Sequence, residues 1–555
     1  MRPDLGNWRA RCSFGLWANA FYCMRSLFIF VLIACGWPAL AQLTHTTRLE
    51  LPITPTWNEK YALLPLGERG GLVAYHRVDD YSRQPHQFRF IRIDTALATR
   101  WAFEFKLPEK YVPLQTFDNE QYLFHLYSQP NSEKIAVMRL NLEDGAIDFY
   151  DGQMPSGLDI SQFKVMGNVA YLSGYYRSRP VVMAFSLFDR SFRIFQGLYV
   201  NHMELGSMEV DPFRQEVHVL THSPKKRCQF AVRSYSPDGK PLRIIEYDGL
   251  QQSLITGKIL PISADESLLV GNYSADCTPY SQGIYVTRIY HNETGKLTVR
   301  TDRGEAIRYF DFSKLKNFFN YMNPKRQQKL LARVLKRRQL GKDYKFHYRL
   351  LVHELMPTPT GLRMAAEVYF PQYKSSPSSM FYNRTLLLNS MSSAAPFYSY
   401  TPRPAIDRSS VGYQYTHAFI CEFDRQGNLV WDNCLPIKEL SDIALSQKVQ
   451  VLSKDDQVVL AYTKDAQITT QLIERDSVLR SDEPVKMQTG LDTEKVLSSA
   501  DDAVQAWYGP HFVATGYQKI IPPRGSNRLP RDVFYLNKLR YDTTPAAPVA
   551  AQKGN

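Results

Sequence analysis

The chain has 555 residues, of which 44% are hydrophobic, 13% aromatic and 22% charged. That balance excludes a largely disordered chain and supplies enough apolar surface for large cores. The formal net charge of +13 bears on partners rather than on fold, and what it implies depends on where the charge sits.

From Met24 the chain reads MRSLFIFVLIACGWPALAQ: one arginine, an apolar run over 27–34, then Ala39-Leu40-Ala41. The pattern predicts a secretory signal cleaved after Ala41, with 1–23 as an upstream extension ahead of a start at Met24. The run is too short to persist as a membrane span. The mature chain, with no transmembrane span, is therefore expected in the periplasm, on the outer surface or secreted. Leu32-Ile33-Ala34-Cys35 also fits a bacterial lipobox, so a lipoprotein anchored at Cys35 is the alternative. Cys228, Cys277, Cys421 and Cys434 remain after cleavage, an even number in a compartment that permits disulfides. None has CxxC spacing, which weakens zinc and thioredoxin-type readings.

One strand-like segment then recurs: GGLVAYHRV from Gly70, EQYLFHLYS from Glu120, NVAYLSGYY from Asn168 and EVHVLTHS from Glu216. It continues as ESLLVGNYS from Glu266, LRMAAEVYF from Leu362, QVVLAYTKD from Gln457 and HFVATGYQK from His511. Five of the intervals run from 48 to 54 residues; the two long ones, 96 and 95, contain insertions at 303–343 and 371–411. A steady period near fifty marks stacked supersecondary units. A second strand follows each (QFRFIRIDT, KIAVMRLNL, PVVMAFSLF and so on), then turn chemistry such as Glu143-Asp144-Gly145 and Pro237-Asp238-Gly239, then a closing strand. Four antiparallel strands per fifty residues describe a propeller blade. The prediction is an all-β, single β-propeller over 42–542, with eight four-stranded blades (seven as the alternative) and a small helical insertion. The last unit has only three strands, so the isolated N-terminal strand TTRLELPI (Thr46–Ile53) is predicted to complete it and close the ring. Residues 543–555 read as a disordered tail.

The run FDRQGNLVWD, Phe423 to Asp432, resembles the D-x-x-G-x-x-x-W turn of quinoprotein-type propellers and a pattern of uncharacterised secreted propellers from Bacteroidetes. The match covers one blade well and the others loosely. The other blades lack the repeated tryptophan, so the resemblance implies a fold and no quinone or other cofactor.

Searches for chemistry return little. His353-Glu354 begins an HExxH match, but position 357 is proline, and His347 is the only histidine of matching strand parity nearby. No nucleophile elbow or phosphate loop is present. Carboxylates recur between the first and second strands (Asp118 and Glu120, Asp211, Asp265 and Glu266, Asp455 and Asp456). They could ring a channel mouth as a glycosidase acid/base set, but tight turns favour aspartate in any case, and no catalytic residue is assigned.

Residues 313–342 hold ten Lys/Arg and no acid, and the predicted mature chain carries 63 bases against 53 acids. The excess charge is therefore local. Asn323 is a good N-cap, Pro324 suits the first helical position, and Gly341 can end the helix. Leu330, Leu331, Val334 and Leu335 form an apolar stripe, and a preceding short helix capped by Ser313 would add Leu315, Phe318 and Phe319. A solvated cover over a blade edge is the structural reading. The functional reading is a site for a polyanion or acidic partner at Lys325, Arg326, Lys329, Arg333, Lys336, Arg337 and Arg338. In an exported protein that means an envelope protein, anionic glycan or lipid rather than nucleic acid. Blade topology puts connections between blades, and those between second and third strands, on one face. Both insertions and the candidate disulfide Cys228–Cys277 should share it. The expected role is a non-enzymatic envelope scaffold; the alternative is a propeller hydrolase or lyase acting on glycans.

Overall fold

The computed structural model describes residues 43–54, 58–78, 87–108, 111–130, 132–223, 229–247, 252–263, 265–290, 298–300, 307–373, 410–491, 493–523 and 529–542. Eight sheets follow one another along the chain and close into an eight-bladed propeller; among the described residues all pairings are antiparallel except that Thr298–Arg300 adds parallel to the outer strand of blade four. In each blade the strands run a to d from the channel outward. The b strands are Gly71–Val78, Tyr122–Ser128, Val169–Tyr176, Glu216–Ser223, Glu266–Ser274, Gly361–Tyr373, Gln457–Lys464 and His511–Ile521. These are the eight recurring segments of the sequence. The signal region and the tail lie outside the described residues, as does most of the 371–411 insertion.

The b strands read as near-continuous apolar runs because both faces of every sheet are covered by neighbouring blades. In blade six Leu362, Met364, Ala366 and Val368 pack toward blade five, while Ala365 and Tyr369 pack toward blade seven. Blades splay with radius, so the outer part of each wedge needs bulk. Phe185, Phe195, Tyr235, Tyr247 and Tyr285, all buried, supply it on blades three to five.

Ring closure is as the sequence predicts. Strand Leu43–Pro52 pairs antiparallel with Arg531–Tyr541, from Leu43 opposite Tyr541 to Pro52 opposite Val533, and becomes the outermost strand of blade eight. Arg48 and Glu50 project from it into a charged clamp. Arg531 donates to Glu50 at 2.8 Å and holds Glu494 through two bonds of 2.7 and 2.9 Å.

Three details differ from expectation. The outer strand of blade five, Arg308–Asp311, lies within the stretch read as insertion 303–343, so the connection begins at Phe312. The short helix Phe312–Lys314 is capped by Asp311, whose carboxylate accepts from Ser313 N, and not by Ser313; the carboxylate is the stronger acceptor. Leu335 leaves the apolar stripe and is 59% exposed, because it sits about 100° around the helix from the buried Val334.

Candidate functional site

The connection between blades five and six is built in two parts. Its first part is a wedge. Phe312, Leu315, Phe318 and Phe319 are buried in one core with Val286 of blade five and Phe419 and Cys421 of blade six. Phe318 meets His417 edge-on, and Tyr321 stacks flat on the same imidazole at 3.8 Å. Backbone N–H groups of Lys316 and Asn317 both donate to the Asp432 carboxylate, at 2.8 and 2.7 Å. Burial is the largest influence on that carboxyl and raises it above its usual range, with the two N–H groups and Lys316 pulling the other way. Asn317 Nδ2 reaches on to the carbonyl of Asp476 in blade seven. The segment thus covers the outer edge of blade six.

The second part is the helix α1, Pro324–Gln339, with the predicted Asn323 cap accepting from Lys325 N and with Gly341 at φ +66° just beyond its end. Val334 is buried, and Leu330 and Leu331 pack beside it. The seven predicted binding residues are all exposed. Arg338 is committed to Asp311 at 3.0 Å and to Ser313 Oγ, and Arg337 lies over the Tyr344 ring. Lys325, Arg326, Lys329, Arg333 and Lys336 make no ion pair among the described residues. The return segment docks on the b-to-c connection of blade five. Ser281 bridges Tyr348, Phe346 N donates to Gln282 Oε1, and Lys345 pairs with Asp276. The basic connection and the Cys277 loop therefore share a face. Cys228 lies outside the described residues. Cys421 and Cys434 are free and buried; Cys421 stands opposite Asp432 and Cys434 opposite Phe419, so the two thiols are not cross-strand partners.

A second polar feature, invisible in the sequence, lines the channel. The a strands of blades two to four carry bulges, and those of blades five and six are broken, as Ser253–Leu254 with Lys258–Pro261 and Arg349–Val352 with Met356–Thr358. Polar side chains bridge the irregularities. Gln162 both donates to Gly206 O and accepts from Met208 N, and Ser207 donates to Gly257 O. Charges continue the chain: Lys164 lies 3.8 Å from Glu209, Lys258 lies 3.7 Å from Glu209, and Lys258 lies 2.5 Å from Glu354. Burial opposes the charge on Lys258, but the two carboxylates outweigh it and raise its pKa. The carboxyl of Asp118, near Lys164, is raised by loss of hydration, with Lys164 pulling the other way. Glu354 keeps 70% of its side chain open to water.

The carboxylates singled out from sequence do not converge. Asp211 caps its own turn by accepting from Phe213 N and Arg214 N. Glu266 pairs with Arg288, and Asp456 with Arg475. His353 is buried against Glu367 at 3.0 Å, while His347 is exposed beside Tyr280, so the two histidines do not meet. Among the described residues no His, Cys, Asp and Glu group assembles as a metal would require.

No protein-family description matches the chain, and no curated protein matches it. Solved structures similar to it include a europium-containing methanol dehydrogenase at 11% identity, covering 90% of this chain and 94% of that one with a TM-score of 0.38. A polysaccharide lyase aligns at 8% identity over 79% and 92% with a TM-score of 0.34. A protein of unknown function from Bacteroides caccae aligns at 12% over 63% and 89% with a TM-score of 0.25. Likenesses this distant carry no argument about activity.

Proposed function

We propose that this chain is an exported, non-enzymatic propeller that binds an acidic partner of the bacterial envelope through the face bearing α1, in keeping with the secreted propellers its Phe423–Asp432 run resembles. The observation that carries the reading is the placement of the five α1 cations that make no ion pair among the described residues. Lys325 and Arg326 occupy the first turn of α1, which contains no acid, and there the helix dipole disfavours positive charge by about 0.3–1 kcal/mol each. Lys325, Lys329 and Arg333 follow at i, i+4 spacing, and each such like-charge pair costs about 0.2–0.5 kcal/mol. A helix serving only as a cover would gain from acids at these positions. Concentrated charge held against its own repulsion is what a polyanion site needs. Export rests on the signal pattern ending at Ala41, with Cys35 lipidation as the alternative. A Cys228–Cys277 bridge between blades four and five is supported by the bonded state of Cys277.

The test replaces Lys325, Arg326, Lys329, Arg333 and Lys336 with glutamine and measures binding to acidic glycans and envelope fractions across a salt series. Binding that weakens with salt and is lost in the variant supports the site; equal binding by both proteins overturns it. One observation favours a second reading, a glycan hydrolase or lyase: Glu354, water-exposed beside Lys258 on the channel wall. Turnover of an acidic polysaccharide that disappears in Glu354→Gln would establish that reading instead.

A further inference from the structure

The exposed apolar side chains in the connections are unevenly placed. Tyr199, Leu335, Leu340, Ile443, Leu491 and Leu529 are exposed and lie in connections between blades or between b and c strands. Because successive strands alternate in direction, all of these connections emerge on the face that carries α1. In the a-to-b and c-to-d turns of the opposite face, the exposed large apolar residues among the described residues are Phe188 and Phe213. The charge is uneven in the same sense. The a-to-b and c-to-d turns hold Asp94, Asp144, Asp189, Asp238 and Asp456, while Lys325, Arg326, Lys329, Arg333 and Lys336, which make no ion pair among the described residues, sit on α1.

We infer that the α1 face docks on an anionic lipid surface, with the α1 cations at lipid phosphates and Leu335 and Leu340 entering the interface. This rests on the binding face proposed above and names the partner. Leu335 is 59% exposed and Leu340 65%, and Lys336 and Lys342 lie within two residues of them. A soluble acidic glycan would neutralise the cations and leave those leucines in water. A bilayer boundary satisfies both, since an interfacial helix combines phosphate contacts with shallow apolar burial. Docking this way also turns the aspartate-rich turns away from like charge.

The experiment uses the whole mature chain with vesicles of phosphatidylcholine alone or containing phosphatidylglycerol, and with polygalacturonate as a soluble polyanion. Three proteins are compared: the parent, the five-glutamine variant, and Leu335→Ser with Leu340→Ser, each checked for unchanged circular dichroism. The proposal expects binding to phosphatidylglycerol vesicles only, abolished in the glutamine variant and weakened by about tenfold or more in the serine variant. Polygalacturonate binding should be lost in the glutamine variant and kept in the serine variant. Serine-variant binding to vesicles equal to the parent's overturns the inference, as does polygalacturonate binding without vesicle binding, which leaves the polyanion site standing. Binding to neither removes both.

Discussion

Glu367 is wholly buried between blades six and seven, and one of its oxygens accepts from His353 Nε2, Lys448 N and Val449 N. Removing it strands the buried Val449 N–H, the half-buried Lys448 N–H and an imidazole. Glu367→Ala is expected to cost about 3–5 kcal/mol in a urea titration. His125 and His417 are buried too, and burial drives both pKa values down to about 3. In the unfolded chain they titrate near the ordinary imidazole value of 6.5. Between pH 6.5 and 3 the unfolded state therefore takes up protons that the folded state refuses. Each histidine then removes up to about 1.4 kcal/mol of stability per pH unit as pH falls through that window. His417→Gln should flatten the acid limb of a stability-against-pH curve, and an unchanged limb would contradict this account. None of these roles was legible in the sequence. A lone histidine in an apolar strand has no local signature, and Glu367 finds its partners across separations of 14 and 81 residues.

Among elements, α1 was the most readable, since its cap, first-turn proline and terminal glycine are local signals that tertiary contacts did not override. Asn323→Ala should cost about 1 kcal/mol in thermal unfolding. The inner strands were the least readable. They are short, bulged or broken, and face the channel on one edge, so neither alternation nor a continuous apolar run survives, and the Lys164–Glu354 charge chain built on them is assembled across four blades. The N-terminal strand behaves differently again. It was visible as an isolated strand, but its partner lies nearly five hundred residues away and was inferred only by counting strands. Partial burial alone would raise the Glu50 carboxyl, yet the bonds and charges of Arg531 and Arg48 outweigh it and hold Glu50 below its usual range. A depressed carboxylate stabilises above its unfolded pKa, near 4.5, and that contribution is lost as pH falls through the folded value. Glu50→Gln should thus lower the melting temperature at pH 7, and the gap from the parent should close below about pH 4.5.

At the scale of the whole molecule the fold was readable because one fact, the fifty-residue period, repeats eight times, and errors in single strands do not disturb a count. The site was less readable because it depends on which face a connection leaves from. The basic connection and the Cys277 loop do share a face, but which cations are spent on Asp311 or Tyr344 and which make no ion pair among the described residues needed side-chain positions. Ring closure by a shared sheet makes a further prediction. Joining the ends and reopening the chain at Ser156, between blades two and three, would leave every blade built from consecutive strands with none shared across the new ends. Adjacent ends favour folding of such a permutant, but its melting temperature should fall by several degrees, roughly what a loss of 1–2 kcal/mol produces in a large domain. An unchanged midpoint would mean that blade packing alone closes the ring. The shared sheet also decides how the molecule responds to force. Leu43 stands directly opposite Tyr541, so tension between the two ends meets the strand ladder rung by rung, as a zipper is opened. The ring should part there at low load, with the other seven blades still intact.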